Sequence, residues 1–556
     1  MPNPQTPKSY LAVTIGPIVK TLMQARKTRE LWAASYLLSK LMEHLIYHLD
    51  PDKKYLLIPN VHSAIDDKPL YGAGIYSDKL YMQADHLSEK QIEAAIDMSF
   101  EALATDLLQK QESQDPNETA AAVSFWKEFL RVRFVKTALA DISEGKLSTE
   151  LTPFLDNYEL EDTLIFKEPA RDYLLHLFEV KRIFNCRIAE ALSDKGAYEA
   201  ILGKWALFPS THEIAAFELL SDESGDFLTL SQELEGREDD SEEFYLQIEA
   251  DESKSKLLKP RHKYFCIVHA DGDNISEAIK QLGKEQDYLD FSATLAAYGV
   301  EAATLINDFG GKPVYIGGDD LLFLTPVHTS EGSVFDLIEK LDKAFPKDKL
   351  HPNASMSFAL NIVYYKFPLF EAIHDAYELL KKAKKFRSAQ GEEKNCIAFR
   401  FTKHSGTAFE ALFSKAFLVN MQSAVDVFEK NAPKNRTGIV SSLIYKLNTL
   451  EYTLVSIAKS IQKRDDSEAE KLELLRFRLQ QTFEHFFNEW ENEKGFTAEK
   501  GFTAQKNAVI ELLIRAYQEN QDWTALFYHV MRVIQFIISP SETAVYDTEN
   551  IAATAE

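Results

Sequence analysis

Two short runs place carboxylates where chemistry can start. Residues 315–324 read YIGGDDLLFL, two apolar strands flanking Gly317, Gly318, Asp319 and Asp320. Paired glycines admit positive φ and allow a tight hairpin, and two adjacent carboxylates then project from its turn. Like charges at such range repel, and a divalent cation reverses the sign of the interaction. Taken alone, the run is equally a solvent-exposed hairpin, since Gly and Asp are ordinary turn residues. The second run is YFCIVHA, Tyr264–Ala270, a buried strand that ends in Asp271, Gly272, Asp273 and Asn274 with a helix expected at once. Asp271 at the strand end is placed to ligate a metal. The amides of Gly272, Asp273, Asn274 and Ile275 at a helix start form a cradle for a triphosphate. For one of Asp273 and Asn274, plain helix N-capping is the expected role.

A third piece is the helix from Leu369 to about Phe386, whose apolar face is Phe370, Ile373, Ala376, Tyr377, Leu380 and Ala383 and whose end is the cationic run KKAKKFR. Lys384 in that run either complements the helix C-terminus or neutralises the β- and γ-phosphates of a nucleotide. Such a set suits phosphoryl transfer, in which two Mg²⁺ ions roughly 3.5–4 Å apart clamp the attacking hydroxyl and the leaving pyrophosphate. Mg²⁺ takes hard oxygen ligands, which Asp supplies and His or Cys does not.

The elements that must position these groups follow from periodicity. The pattern is strand 264–269, helices 275–282 and 287–309, strands 313–316 and 321–324, helix 334–344, strand 355–365, helix 369–386 and strand 396–401. Its core order βαββαβ is the split βαβ, ferredoxin-like plan, which pairs the first strand with the hairpin and brings Asp271 to Asp319 and Asp320. Upstream, strands are expected at 10–15, 55–58 and 80–82, with a helix over 18–49 and mostly helix over 88–145, interrupted near 111–117, and over 171–205. Residues 206–260 read as a connector with a helix at 211–220 and an acidic, solvated loop at 233–243, ELEGREDDSEE. Beyond Gly406 the chain reads as helical to about Ser539, with the tandem KGFTAE and KGFTAQ in a helix–helix loop and a frayed tail from 543.

Composition limits the partners. The 556 residues carry 62 Lys and Arg against 86 Asp and Glu, a formal charge of −24. A long grip on naked nucleic acid needs clustered cations and is not expected. Three well-separated cysteines, Cys186, Cys266 and Cys396, form no CxxC pair, which excludes a zinc ribbon or a disulfide framework and fits a reducing cytosol. A polar N-terminus and the absence of an uninterrupted apolar run of about 18 residues make a soluble, cytoplasmic protein with no membrane partner the expectation.

The pieces resemble the palm of nucleotide cyclases and polymerases. The hairpin is GGDD rather than GGDEF, DGDN occupies the first-strand turn, and Ala376, Ala383 and Lys384 are spaced like that superfamily's phosphate helix. Near the N-terminus, Ile15-Gly16-Pro17, ARKTRELW (25–32) and SYLLS (35–39) resemble the opening of the first palm in the large subunit of type III CRISPR effector complexes, Cmr branch. FPSTHEIAAFEL (208–219) and KHSG (403–406) extend that resemblance over most of the chain. It implies an α+β protein of two ferredoxin-like palm domains, a helical connector and a C-terminal helical domain. The expected divisions are 1–205 for a first palm without metal motif, 206–260 for the connector, 261–406 for the GGDD palm, 407–540 for the helices and 541–556 for the tail. It implies that Asp271, Asp319 and Asp320 bind Mg²⁺ or Mn²⁺. Gly272, Asp273, Asn274, Ile275, Ser276, Gly317, Gly318 and Lys384 would hold ATP, Ser276 standing where several relatives have Gly.

The implied activity is RNA-activated adenylyl transfer that makes a second messenger for antiviral defence. The product is a cyclic oligoadenylate or, in members without a nuclease domain, AMP joined to S-adenosylmethionine as co-substrate. Asp78, in GAGIYSDKLYM (72–82), is a candidate for the acceptor pocket. The first palm starts near residue 10, and the only His-Asp pair, His374-Asp375, lies in the phosphate helix, so no DNase activity is expected. The partners implied are other Cmr-type subunits, with guide and target RNA held mainly through the complex. The rival expectations are a structural subunit with a silent palm and a GGDEF-like cyclase using GTP. With −24 overall, the isolated chain is predicted to bind RNA weakly at physiological salt in an anisotropy titration. Tight, salt-resistant binding would contradict that expectation.

Overall fold

The computed structural model describes residues 7–61, 73–108, 130–160, 208–234, 240–431, 436–494, 500–519 and 522–539, except 24, 223, 388–390 and 392, together with a few positions between 120 and 127. The helices expected over 171–205, the interruption at 111–117 and the tail lie outside the described residues.

The first sheet is built from β1 (Lys8–Gly16), β2 (Leu56–Ile58), β3 (Lys79–Gln83) and β4 (Arg131–Leu139), in the order β2-β3-β1-β4 with every pair antiparallel. Its helices are α1 (Thr28–Leu49) and α2 (Glu89–Leu108), so the chain order is again βαββαβ. β1 is buried on both faces: Leu11, Val13 and Ile15 pack with Leu31 and Leu41 of α1, while Tyr10 and Ala12 pack on Leu147, Leu151 and Leu155 of α3 (Lys146–Leu160). The continuous apolar run YLAVTI is the signature of such a doubly covered strand. Asp50 directs the exit from α1, its buried carboxylate accepting from the amides of Tyr55 (2.6 Å) and Leu56 (2.9 Å) at the start of β2.

β4 corrects the expectation of helix through 88–145. RVRFVKTAL alternates Arg131, Arg133 with Val132, Phe134, a strand period, and pairs with β1 over nine residues from Lys8↔Leu139 to Gly16↔Arg131. The helix expected over 18–49 is likewise two pieces, Ile18–Leu22 and α1.

The second sheet comprises β5 (Tyr264–Asp273), β6 (Lys312–Gly317), β7 (Asp320–Pro326), β8 (Ser355–Tyr364), β9 (Cys396–Thr402) and β10 (Ala408–Ser414), ordered β10-β9-β8-β5-β7-β6. The four-strand core β8-β5-β7-β6 is the ferredoxin-like arrangement expected, and β9 extends it in parallel to β8. Its helices are α4 (Ile275–Ile279), α5 (Glu285–Asp308), α6 (Val334–Ala344) and α7 (Leu369–Ala383). β10 was not expected. AFEALFS pairs antiparallel with all of β9, so the sheet runs to Ser414 and the division at 406/407 falls inside it.

The connector carries Asp226–Leu234 and Asp240–Ala250, so part of the acidic run is helix rather than loop; carboxylates at a helix start suit its dipole. The helices Lys415–Asn431, Arg436–Gln462, Glu468–Lys494, Lys500–Glu519 and Trp523–Ile538 complete the chain, and Leu513, Phe527 and Ile534 share one core with Phe399 and Phe413 of the sheet. The second copy of the hexapeptide repeat is the opening of Lys500–Glu519, not a loop. No described helix is long and apolar enough to cross a membrane.

The two sheets meet at one seam. The amide of Ile316 on β6 donates to the carbonyl of Gly74 (2.8 Å), and Ser35 Oγ of α1 donates to the carbonyl of Val314 (2.8 Å). A Cβ at Gly74 would lie 2.9 Å from Ser35 Oγ and 3.3 Å from Ser39 Cβ. Gly74→Val is therefore expected to destabilise the chain by ~1–3 kcal/mol in urea denaturation, the usual cost of overpacking. An unchanged midpoint would show that the seam gives way freely.

Candidate active site at the ends of two paired strands

β5 and β7 run antiparallel with Asp271 opposite Asp320, so the end of one strand meets the start of the other. Directly paired residues share a sheet face. Phe265 and Ile267 of β5 pack with Leu322 and Leu324 against Leu369, Ala372, Ile373 and Ala376 of α7. Cys266, Val268 and Ala270 pack with Leu321 and Phe323 against α5 on the other side. Alternation then puts His269, Asp271, Asp273 and Asp320 on the α7 face.

On that face Lys384, at the C-terminus of α7, reaches the strand end. Its Nζ donates to the carbonyls of Asp271 (2.7 Å) and Gly272 (2.7 Å), and meets Asp273 Oδ1 (2.8 Å) and Asp271 Oδ2 (2.7 Å). An ammonium has three protons, so four oxygens already saturate it. Burial works against its charge, but Asp271 and Asp273 outweigh this and raise its pKa above the ordinary lysine value.

Asp273 is fully buried. Its Oδ2 accepts from Ser355 Oγ (2.9 Å), Ser357 Oγ (2.8 Å) and the amide of Asn395 (3.0 Å). Burial opposes its charge, and Lys384 with the two hydroxyls still holds its pKa below the usual carboxylate range. It therefore orders the turn from within, neither capping α4 nor facing a ligand as expected. Asn274 is left-handed (φ 61°) and makes no side-chain cap; its amide nitrogen donates to the carbonyl of Asn353 (2.9 Å) and its oxygen accepts from Lys394 (3.1 Å). The expected amide cradle is narrower too, because the Gly272 amide is committed to the carbonyl of Asp319 (3.0 Å). Ser276 is exposed on the five-residue α4, and Ile275 is half-buried.

The GGDD turn sits hard against Gly272. A Cβ there would lie 2.7 Å from Asp319 Cβ and 2.7 Å from Ile275 Cγ1, so only glycine lets the hairpin close on the DGDN turn. Gly318 supplies the positive φ of 79°. Asp319 opens on one side to a cavity and is otherwise enclosed. Burial, then the charges of Asp271 and Asp320, push its pKa up to about 7. Asp271 is raised as well, by burial first and against the pull of Lys384.

That cavity, about 280 Å³, lies between the two sheets. Gly317, Gly318, Asp319, Ile275, Phe291 and Leu295 form one wall; Ile75, Ser77, Lys79 and Tyr81 of the first sheet, with Ser148 and Thr152 of α3, form the other. A hydroxyl chain runs along the second wall, Ser148 to Thr152 (3.0 Å) and Thr152 to Tyr81 (2.7 Å). Asp78 is displaced from its expected place: its neighbours Ser77 and Lys79 line the cavity, while its own charge bears on Tyr315, whose pKa is raised by burial first and then by Asp78 and Asp320.

One group was missed by the sequence reading. His269 is 5% exposed, its Nε2 lies 3.0 Å from Asp320 Oδ1, and its ring stands edge-on to Tyr377 at 4.3 Å. The signal was present: His269 lies two residues before Asp271 on one strand and so shares its face.

The donor chemistry of Asp271, Asp319 and Asp320 fits a hard divalent cation, and a cation there would offset both the burial that chiefly raises the Asp319 pKa and the repulsion from Asp271 and Asp320 that adds to it. Among the described residues, however, no three His, Cys, Asp or Glu groups stand at metal-binding spacing. Asp271 is turned to Lys384 and Asp320 to His269, so loading the site requires at least Asp271 to change partner.

Residues 264–398 match Cas10/Cmr2, second palm domain, and residues 10–131 match CRISPR-associated protein Cmr2, N-terminal. The CRISPR system Cmr subunit Cmr2 of Pyrococcus furiosus is 25% identical over 175 residues, a match spanning 27% of this chain and 20% of that protein. Two solved structures share the fold. The type III-B Cmr-beta apo state superposes with a TM-score of 0.56 at 12% identity, covering 85% of this chain and 77% of the other. Cmr-beta bound to cognate target RNA gives 0.52 at 14%, covering 84% and 78%.

A carboxyl whose folded pKa of about 7 exceeds its unfolded value of about 3.9 takes up a proton on folding between those limits. Its penalty is complete above about pH 7 and relieved as pH falls. In metal-free protein, Asp319→Asn is expected to raise stability by on the order of 1–3 kcal/mol at about pH 8, with little change at about pH 4. Urea midpoints that move equally at both pH values would overturn this.

Proposed function

As this chain belongs to the Cas10/Cmr2 family of type III CRISPR large subunits, we propose that its GGDD palm transfers adenylyl groups from ATP. The observation that carries the proposal is the register that sets Asp271 against Asp320, with Asp319 beside Gly272 at the mouth of an inter-sheet cavity. Asp271, Asp319 and Asp320 would hold Mg²⁺ or Mn²⁺, which would lower the pKa of the attacking hydroxyl and offset charge on the leaving pyrophosphate. In the step itself a 3′-hydroxyl oxygen bonds to the α-phosphorus, the bond from that phosphorus to the oxygen bridging to the β-phosphate breaks, pyrophosphate leaves with that oxygen, and the hydroxyl proton passes to solvent.

Lys384, now spent on four oxygens of the DGDN turn, is the group that swings to the β- and γ-phosphates once Asp271 takes another cation. Ile275 and the Gly317-Gly318 turn line the adjoining cavity. The cavity fits a nucleoside: Phe291 and Leu295 offer an apolar wall for a base, and the Ser148, Thr152 and Tyr81 hydroxyls face it. The product is a cyclic oligoadenylate if the acceptor is a second adenine nucleotide. It is an AMP conjugate if the acceptor is S-adenosylmethionine. The working unit is a complex with other Cmr-type subunits, in which guide and target RNA are held mainly by more basic chains, a reading that the −24 charge supports.

One observation favours a silent palm instead, namely that Asp271 and Asp320 both have internal partners. Replacing Asp319 and Asp320 by Ala in the assembled complex separates the two. Adenylyl transfer predicts that RNA-activated ATP turnover falls at least ~100-fold while assembly is unchanged, whereas unchanged turnover rejects the site. Mass spectrometry of products made with and without S-adenosylmethionine identifies the acceptor, and a preference for GTP would favour a GGDEF-like cyclase.

A further inference from the structure

The imidazole of His269 has no part in the chemistry above, yet it is buried in the second sheet beside the carboxylates. It stands opposite Leu322 of β7, two pairs inward from the Asp271–Asp320 pair, so it reaches Asp320 along the sheet diagonal. The ring is held on two sides. It packs edge-on against Tyr377 of α7 at a 68° interplanar angle, and Nε2 lies 3.0 Å from Asp320 Oδ1. Nδ1 is buried without a hydrogen-bond partner. A proton on Nδ1 would be a buried donor with no acceptor, which is costly, so the proton sits on Nε2 and is donated to Asp320.

The two ends of this contact differ in kind. The His269 side chain is 6% exposed and the Asp320 side chain 40% exposed. An exposed carboxylate on a hairpin samples several rotamers, and a donor fixed in the core removes that freedom from one side only. Resting on the adenylyl-transfer reading of the site, we propose that His269 is a positioning residue for Asp320. It takes up Oδ1 and leaves Oδ2 to a divalent cation bound at the strand ends. Hydrogen bonds of this sort to ligating carboxylates orient them and contribute ~10–100-fold to metal affinity.

The test uses the full chain and Mn²⁺ alone, titrated calorimetrically without nucleotide. His269→Phe keeps the ring and its contact with Tyr377 but has no donor; His269→Gln restores a nitrogen donor at about the reach of Nε2. The expected result is Mn²⁺ affinity weakened ~10–100-fold in the Phe variant and largely recovered in the Gln variant, with thermal midpoints close to the parent's. In the RNA-activated complex, the Mg²⁺ concentration for half-maximal ATP turnover should shift by the same factor. If the Phe variant fails to fold, His269→Leu serves as the donor-less variant. Parent-like Mn²⁺ affinity in the donor-less variant, or equal weakening in it and the Gln variant, overturns the proposal. A parent chain that takes up no Mn²⁺ is a different failure, visible before any variant is compared, and it removes the metal-site reading and this proposal together.

Discussion

The register of β5 on β7 is the constraint from which the rest of the site follows. It sets Asp271 opposite Asp320, and because side chains alternate across a strand, a slip of one residue would send one of the two carboxylates to the wrong face. The register is held by the apolar residues behind it. Phe265 and Ile267 belong to the core shared with α7, and Cys266, Val268 and Ala270 to the core shared with α5. The two faces pack against different helices, α7 and α5, and Gly272 then allows the hairpin to close.

That geometry concentrates negative charge, and the protein answers it locally. Lys384 pairs with Asp271 and Asp273 and a hydrogen bond from His269 takes part of Asp320, while burial first and the neighbouring carboxylates second leave Asp319 with a raised pKa. The arrangement divides labour among four neighbouring acids. Asp273, fully buried among Ser355, Ser357 and Asn395, holds the turn. The other three stay within reach of the cavity or the sheet edge. On the proposed reading a cation arriving there would compete with the Lys384 ammonium for Asp271, so that metal loading and the release of Lys384 would be one event.

The second sheet alone does not make the cavity. Its far wall comes from β3 and from α3, and α3 lies outside both stretches that match the Cas10/Cmr2 families. The seam at Gly74 and Val314–Ile316 fixes that wall relative to the GGDD turn through backbone hydrogen bonds. The first sheet thus contributes shape and hydroxyl groups to the cavity while the second contributes the carboxylate of Asp319.

The amino-acid sequence by itself determined the local elements and the chemical types. Continuous apolar runs gave β1 and β5, helical periodicity gave α5 and α7, and the GGDD and DGDN turns identified the carboxylates. Where burial is partial the pattern weakened: β4, half-buried over Arg131–Thr137, passed for helix, and β10, short and peripheral, was absorbed into the helices that follow. Tertiary structure alone decided how each polar group was used. Asp273 and Asn274 are equivalent turn residues on paper. Only the packing of β8 and the 395 loop drew Asp273 inward, and only α7 brought Lys384 and Tyr377 to the strand end. His269 acquired a partner from a residue 51 positions away. Periodicity reports which face a side chain takes on its own element; the contact it makes depends on which other element covers that face, and that is a property of the folded chain.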